Sequence, residues 1–158
     1  MTQDRPDARS RRALLATGAG AIVALALRPV VAAAATRTET TASAIRRFAG
    51  EAAITPGRVT LDLPPLVENG NAVTITVSVE SPMTADDHVR RIAVFNEKNP
   101  QPNVVTVHLG PRSGRATVTT RIRLADTQRI TAIAETNDGR YWSASVDAIV
   151  TLAACLEG

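Results

Sequence analysis

The sequence predicts an all-β protein: an immunoglobulin-like antiparallel β-sandwich of about seven strands, with a short N-terminal helix and a flexible C-terminal arm. Three observations lead there. From Val59 onward apolar residues recur with a period of two. Pro, Gly, Asn and Asp residues with turn chemistry stand at the joints between these runs. No helical period separates one run from the next, so the strands connect without the crossover helices that parallel neighbours require. A small barrel is the alternative.

Taken in order, residues 1–35 read as an export signal, not as part of the fold. Arg11 and Arg12 stand directly before the mild apolar stretch A-L-L-A-T-G-A-G-A-I-V-A-L-A-L. Arg28-Pro29 and the small-residue run V-V-A-A-A-A-T follow, with cleavage expected after about Ala34 or Ala35. The twin arginine and the Gly/Ala-diluted core resemble a Tat signal. The apolar run is shorter than the roughly 20 residues that span a bilayer as a helix, so no stable membrane association is expected. Five arginines against two aspartates in this leader account for the whole net charge of +3. The rest of the chain is balanced, and its charge does not point to nucleic acid. Cargo on a Tat route is exported already folded, which draws attention to a partner that folds alongside this chain.

Residues 36–57 are a polar linker and a short helix. Thr41-Ala42-Ser43 supply a cap; Ala44, Ile45, Phe48 and Ala49 fall on one face, and Gly50 is the stop. Pro56-Gly57 breaks the chain, and residues 58–152 form the sandwich. Val59, Leu61 and Leu63 alternate with Thr60 and Asp62. E-N-G-N at 68–71 reads as a hairpin-type turn into A-V-T-I-T-V-S-V-E, the cleanest alternation in the chain. Ser81-Pro82-Met83-Thr84 opens a loop; R-R-I-A-V-F is the next strand and N-E-K-N-P-Q-P-N its exit. V-V-T-V-H-L, R-A-T-V-T-T-R-I-R-L and R-I-T-A-I-A-E follow, and Asn137-Asp138-Gly139-Arg140 turns into Y-W-S-A-S-V-D-A-I-V-T-L. Residues 153–158 form the arm, Ala153, Ala154, Cys155, Leu156, Glu157 and Gly158.

Cys155 is the single cysteine of the chain. In the last strand Trp142, Ala144, Val146, Ala148, Val150 and Leu152 share one parity and are expected to form the buried face. Cys155 shares the other parity with Ser143, Ser145, Asp147 and Thr151, so its sulfur is expected to face away from the core. If pairing stops at Leu152, three extended residues carry it roughly 10 Å beyond the sheet. An odd cysteine in an exported protein points to a reactive thiol or an intermolecular bond. A free thiol has a pKa near ~8.5, and Glu157 and a terminal carboxylate nearby would disfavour ionisation further. Such a weakly activated group suits a passenger site better than a catalytic one.

Other chemistries find less support. A cupredoxin copper site needs a His and an axial ligand shortly after its Cys, whereas His88, His108 and Met83 lie far upstream, so no metal is expected. CxxC, HExxH, GxSxG and glycine-rich phosphate loops are all missing from the sequence. Asp86-Asp87 sits in a loop and reads as a solvated or turn-capping pair. An aromatic content of 3% argues against stacking platforms for nucleic acid or sugars. No cofactor is expected beyond sulfur intermediates bound to Cys155.

The stretch from E-N-G-N-A-V-T-I-T-V-S-V-E-S-P-M-T through R-R-I-A-V-F-N-E-K-N-P-Q-P-N-V to H-L-G-P-R-S-G-R-A-T-V-T-T-R-I-R-L-A-D-T-Q resembles the SoxY family, the sulfur-carrier subunits of bacterial thiosulfate-oxidising Sox systems. The likeness covers nearly all of the chain after the leader. It implies an immunoglobulin-like fold, a periplasmic location, and a heterodimer with a SoxZ-like subunit. It also implies that Cys155 is the carrier cysteine. In the family a c-type cytochrome complex oxidatively joins thiosulfate to that sulfur, a hydrolase releases sulfate, and a sulfane dehydrogenase oxidises the sulfur left behind. The carrier is thus acted on by enzymes and is not one itself. One departure stands out: the family's usual ending is G-G-C-G-G, and here it is A-A-C-L-E-G. Alanine, leucine and glutamate restrict an arm that glycine would leave free. The other reading is an exported immunoglobulin-like interaction module whose cysteine forms an interchain disulfide.

Overall fold

The computed structural model describes residues 39–154. The leader with Arg11 and Arg12, and Cys155, Leu156, Glu157 and Gly158 of the arm, lie outside the described residues. Helix α1 spans Thr41–Ala49. Its first turn is capped by the Thr40 hydroxyl, which accepts from the Ser43 N–H at 3.2 Å. Gly50 ends it at φ 65°, a left-handed value that glycine adopts without a Cβ clash, and its N–H donates to the Arg46 carbonyl at 2.7 Å.

Nine strands follow: β1 Ile54–Pro56, β2 Val59–Asp62, β3 Leu66–Val67, β4 Val73–Val79, β5 Val89–Asn96, β6 Asn103–His108, β7 Thr117–Ile122, β8 Gln128–Thr136 and β9 Tyr141–Val150. They form two sheets. One runs β1-β9-β8-β5-β6, with β3 also pairing β9; the other runs β2-β4-β7. The all-β sandwich expected from the alternation is therefore what forms. Two details differ. The count is nine, because β1 and β3 are too short to show a period of two. Both pair with β9 in parallel, Ile54 opposite Tyr141 and Leu66 opposite Ile149, so the architecture is not wholly antiparallel.

Between the sheets lies the main core, in which Leu61, Ile75, Val77, Ile92, Val94, Ile122, Leu124, Ile130 and Ala148 are buried. β4 keeps the alternation read from its sequence: Val73, Ile75, Val77 and Val79 are buried while the threonines between them are not. β5 loses that alternation for a physical reason. Its inward residues Ile92 and Val94 face the sandwich, and its outward residues Ala93 and Phe95 are covered by α1 together with Ile133. Phe48 of the helix meets Phe95 edge-on at 5.8 Å and Tyr141 at 6.0 Å. The Arg91 guanidinium lies 4.5 Å from the centre of the Phe48 ring, donates to the Phe48 carbonyl at 3.3 Å, and pairs with the buried Glu135 carboxylate. Among the described residues no helix is long and apolar enough to cross a membrane.

Two local expectations need correction. E-N-G-N at 68–71 is not a hairpin turn, since β3 pairs with β9 while β4 pairs with β2 and β7. It carries the chain from one sheet to the other. Leu152 does not belong to the buried face of the last strand and is 59% exposed. The β8–β9 ladder reaches only Gln128 opposite Ala148, and the N–H of Val150 is taken by the Thr127 hydroxyl at 2.9 Å. Once the ladder ends, strand parity no longer sets which way a side chain points.

Candidate functional site

The last described residues before Cys155 are held by a site built from three chain segments. After β9, Thr151 donates its N–H to the Val67 carbonyl at 2.9 Å, which keeps the chain alongside β3. The Leu152 carbonyl accepts from Gly70 N–H at 2.7 Å. Gly70 in turn accepts at its carbonyl from Leu124 N–H at 2.8 Å, and the Leu124 carbonyl accepts from Ala154 N–H at 2.9 Å. Ala154 is buried, whereas Leu152 and Ala153 are exposed. Of the two alanines assigned to the arm, then, Ala154 is held by the sandwich.

Leu124 is fixed from its other side as well. The Asn99 side chain donates to the Arg123 carbonyl at 2.8 Å and accepts from the Ala125 N–H at 3.0 Å, bracketing Leu124. Asn99 is oriented by Gln128, whose Nε2 donates to Asn99 Oδ1 at 3.1 Å and whose Oε1 accepts from the N–H groups of Glu97 and Lys98. Gln128 is buried with this full set of partners, as a buried amide requires. The Leu124 side chain itself is completely buried in the main core.

Beside this site, Leu66 and Ile149 sit opposite one another in the parallel pair and are 55% and 57% exposed. Ile149 stands out in the sequence as an apolar residue on a polar face; its partner Leu66 carries no such signal. Further along that face Arg129 donates to both carboxylate oxygens of Asp147, at 2.9 and 3.2 Å, and holds that carboxyl below its ordinary range. At the far end, the Asp138 carboxyl is pulled down to about 2 by hydrogen bonds from the Thr136 hydroxyl and the Arg140 N–H.

The remaining singled-out residues do not converge. The His88 ring approaches the Thr84 carbonyl at 3.1 Å in the 80–88 loop, and His108 is exposed at the end of β6. The Asp86 carbonyl accepts from the Asn137 side chain and the Asp87 carbonyl from Thr84 N–H, so this pair of residues braces a loop. Met83 is buried in the main core. Among the described residues no three His, Cys, Asp or Glu side chains gather as metal ligands would.

The fold and this site define a class: a β-sandwich whose chain is pinned at residue 154, directly before the single cysteine of the sequence. The profile of the family described as "Sulfur oxidation protein SoxY" matches residues 45–155, most of the chain, and its last matched residue is Cys155. The chain belongs to the SoxY family. Among solved structures, the sulfur carrier protein SoxY from Chlorobium limicola f thiosulfatophilum aligns with a TM-score of 0.60 at 25% identity, over 70% of this chain and 96% of that one. A superoxide reductase (neelaredoxin) from Ignicoccus hospitalis aligns with a TM-score of 0.54 at 21% identity, over 60% of this chain and 80% of that one. That second likeness is one of fold alone. A search of curated proteins finds no match. By family the protein is a sulfur carrier of the Sox system, working among partner proteins.

Proposed function

We propose that this protein is a periplasmic covalent carrier of thiosulfate-oxidation intermediates, held on the Cys155 sulfur and handed between partner enzymes. The observation that carries the reading is that the family match extends from residue 45 to Cys155, the one thiol of the chain. Loading is an oxidation: the Cys155 thiol and thiosulfate give a cysteine-S–S–SO3 adduct, in which the first sulfur is the cysteine's own, with release of one proton and two electrons, the electrons passing to a c-type cytochrome complex. A hydrolase then adds water and releases sulfate, leaving sulfane sulfur on the cysteine for a sulfane dehydrogenase. The carrier supplies only the sulfur atom and its presentation, and needs no cofactor of its own.

Export by a Tat route through Arg11 and Arg12, and a heterodimer with a SoxZ-like subunit, complete the proposal. The exposed Leu66–Ile149 pair supports a subunit contact on the β3/β9 side, since apolar residues grouped at a surface mark interaction sites.

One experiment tests these parts together. The native complex isolated from thiosulfate-grown cells is weighed intact, then digested with trypsin. The expected results are a chain lacking its leader, a second subunit, and a C-terminal peptide beginning at Tyr141 that bears reductant-sensitive sulfur. Cys155→Ser is expected to abolish both the adduct and thiosulfate oxidation. A symmetric disulfide dimer as the only modified species, with Cys155→Ser cells still oxidising thiosulfate, would overturn the carrier reading in favour of the interaction module.

A further inference from the structure

We propose that Gly70 is a positioning residue for the carrier cysteine: it closes a backbone clamp on Leu152 and Ala154, so that Cys155 departs from a fixed point on the sandwich. The inference rests on the carrier reading for its functional meaning, and on the geometry of the clamp for its existence.

Gly70 is buried, and its φ is not left-handed, so a turn conformation is not what demands glycine there. Close approach is. A Cβ built at this position would lie 2.3 Å from the Leu124 carbonyl oxygen and 2.9 Å from the Ala154 amide nitrogen. Both are backbone atoms, so neither can swing away like a side-chain tip. The contacts concern the two residues whose hydrogen bond holds Ala154, and the Leu152 carbonyl is also only 3.2 Å from that Cβ position.

Which partner would yield can be decided from what holds each. Leu124 is anchored by its fully buried side chain and by Asn99, which bonds the chain on both sides of it. Residues 152 and 153 are exposed. With Leu124 held in place, the clash with its carbonyl is relieved only if the backbone at position 70 backs away, which breaks the Gly70 N–H bond to the Leu152 carbonyl and releases the less restrained tail.

The functional consequence follows from covalent geometry. With Ala154 clamped, the Cys155 Cα stays within about 3.8 Å of a fixed Cα. The point from which the cysteine-bearing tail is tethered is therefore fixed at one end of the sandwich. An enzyme acting on the cysteine has to bring its active site to that end and meet the surface around Glu68, Asn69 and Leu152. A long, freely searching tether would impose no such contact. Gly70 thus fixes where the carrier segment is tethered.

The test uses the full-length protein, in which Cys155 is the only attachment point for a thiol-directed spin label. Gly70→Ala and Ala154→Pro are each compared with wild type, the second deleting the N–H that Leu124 accepts without adding bulk at position 70. Both variants are expected to narrow the spectrum of the Cys155 label. In Gly70→Ala, where the amide remains, exchange at Ala154 is expected to speed up about tenfold, the scale of one hydrogen bond. Ile75→Ala, a core variant at a residue that makes none of the clamp's hydrogen bonds, is the control: it lowers the melting temperature and should leave the label spectrum unchanged. The same spectral change in Ile75→Ala, or a wild-type spectrum in a folded Gly70→Ala, overturns the inference. Should Gly70→Ala not fold, Ala154→Pro decides by the same spectrum. Failure of the carrier reading looks different, because it appears as a wild-type peptide without sulfur adducts while the clamp measurements stand.

Discussion

Replacing Phe48 by alanine asks whether α1 belongs to the folding unit or merely rests on it. The ring is 9% exposed and fills the space between Phe95 and Tyr141 on the outer face of the larger sheet. Burying a phenylalanine side chain is worth about 1.5–3 kcal/mol, and each edge-on aromatic pair adds about 0.5–1.5 kcal/mol. The Arg91 guanidinium 4.5 Å from the ring centre adds roughly 0.5–1 kcal/mol at this partly exposed position. Relaxation of a surface helix into the gap offsets part of the sum, so the expected loss is about 3 kcal/mol, at the lower end of the range for buried Phe→Ala changes. For a domain of this size that corresponds to a fall in melting temperature of roughly 10–15 °C. Equilibrium urea unfolding, followed by far-ultraviolet circular dichroism and by Trp142 fluorescence, reads both the loss and whether one transition remains. A loss under about 1 kcal/mol, or a helix transition separated from that of the sheet, would refute the claim that α1 holds β5 and β8 from outside.

Two further outcomes follow from the same packing. Gln128→Leu leaves the N–H groups of Glu97 and Lys98 without their acceptor and frees Asn99 from its orienting partner; a loss of about 2–4 kcal/mol is expected in chemical unfolding, and a loss under about 0.5 kcal/mol would refute the network's role. Asp138 titrates at about 2 in the folded protein, below its ordinary 3.8, because Thr136 and Arg140 donate to it. Its contribution is thus fully present above about pH 4 and fades as pH falls towards 2. Melting temperature measured across that window should drop more steeply for wild type than for Asp138→Asn, and parallel curves would contradict the assignment.

Most strands were legible because alternation is a direct record of one buried and one solvated face. β4 is the clearest case, with valines and isoleucine inside and threonines outside. β5 was legible as a strand, but its unbroken apolar run gave no hint that a helix covers Ala93 and Phe95, since the sequence of a doubly buried strand does not say what buries it. β1 and β3 leave no signal in the sequence because three and two residues cannot display a period, and their parallel pairing with β9 is set by where the chain re-enters the sheet.

The site around Ala154 shows the limit more sharply. Cys155 stands out in the sequence because it is the single thiol of the chain. Gly70 does not, because E-N-G-N has the composition of an ordinary turn and the need for glycine arises only when Leu124 and Ala154 arrive from distant parts of the chain. Leu152 marks the same boundary, its alternation valid only while β8 and β9 remain paired and ended by a threonine hydroxyl. Local patterns therefore pick out a candidate group, whereas the point from which it is tethered is a property of tertiary contacts. In this protein the departure from a glycine-flanked cysteine and the clamp at Gly70 bear on one variable, the freedom of the residue before the sulfur. An alanine that is buried and hydrogen-bonded at position 154 fits a carrier whose partners come to it.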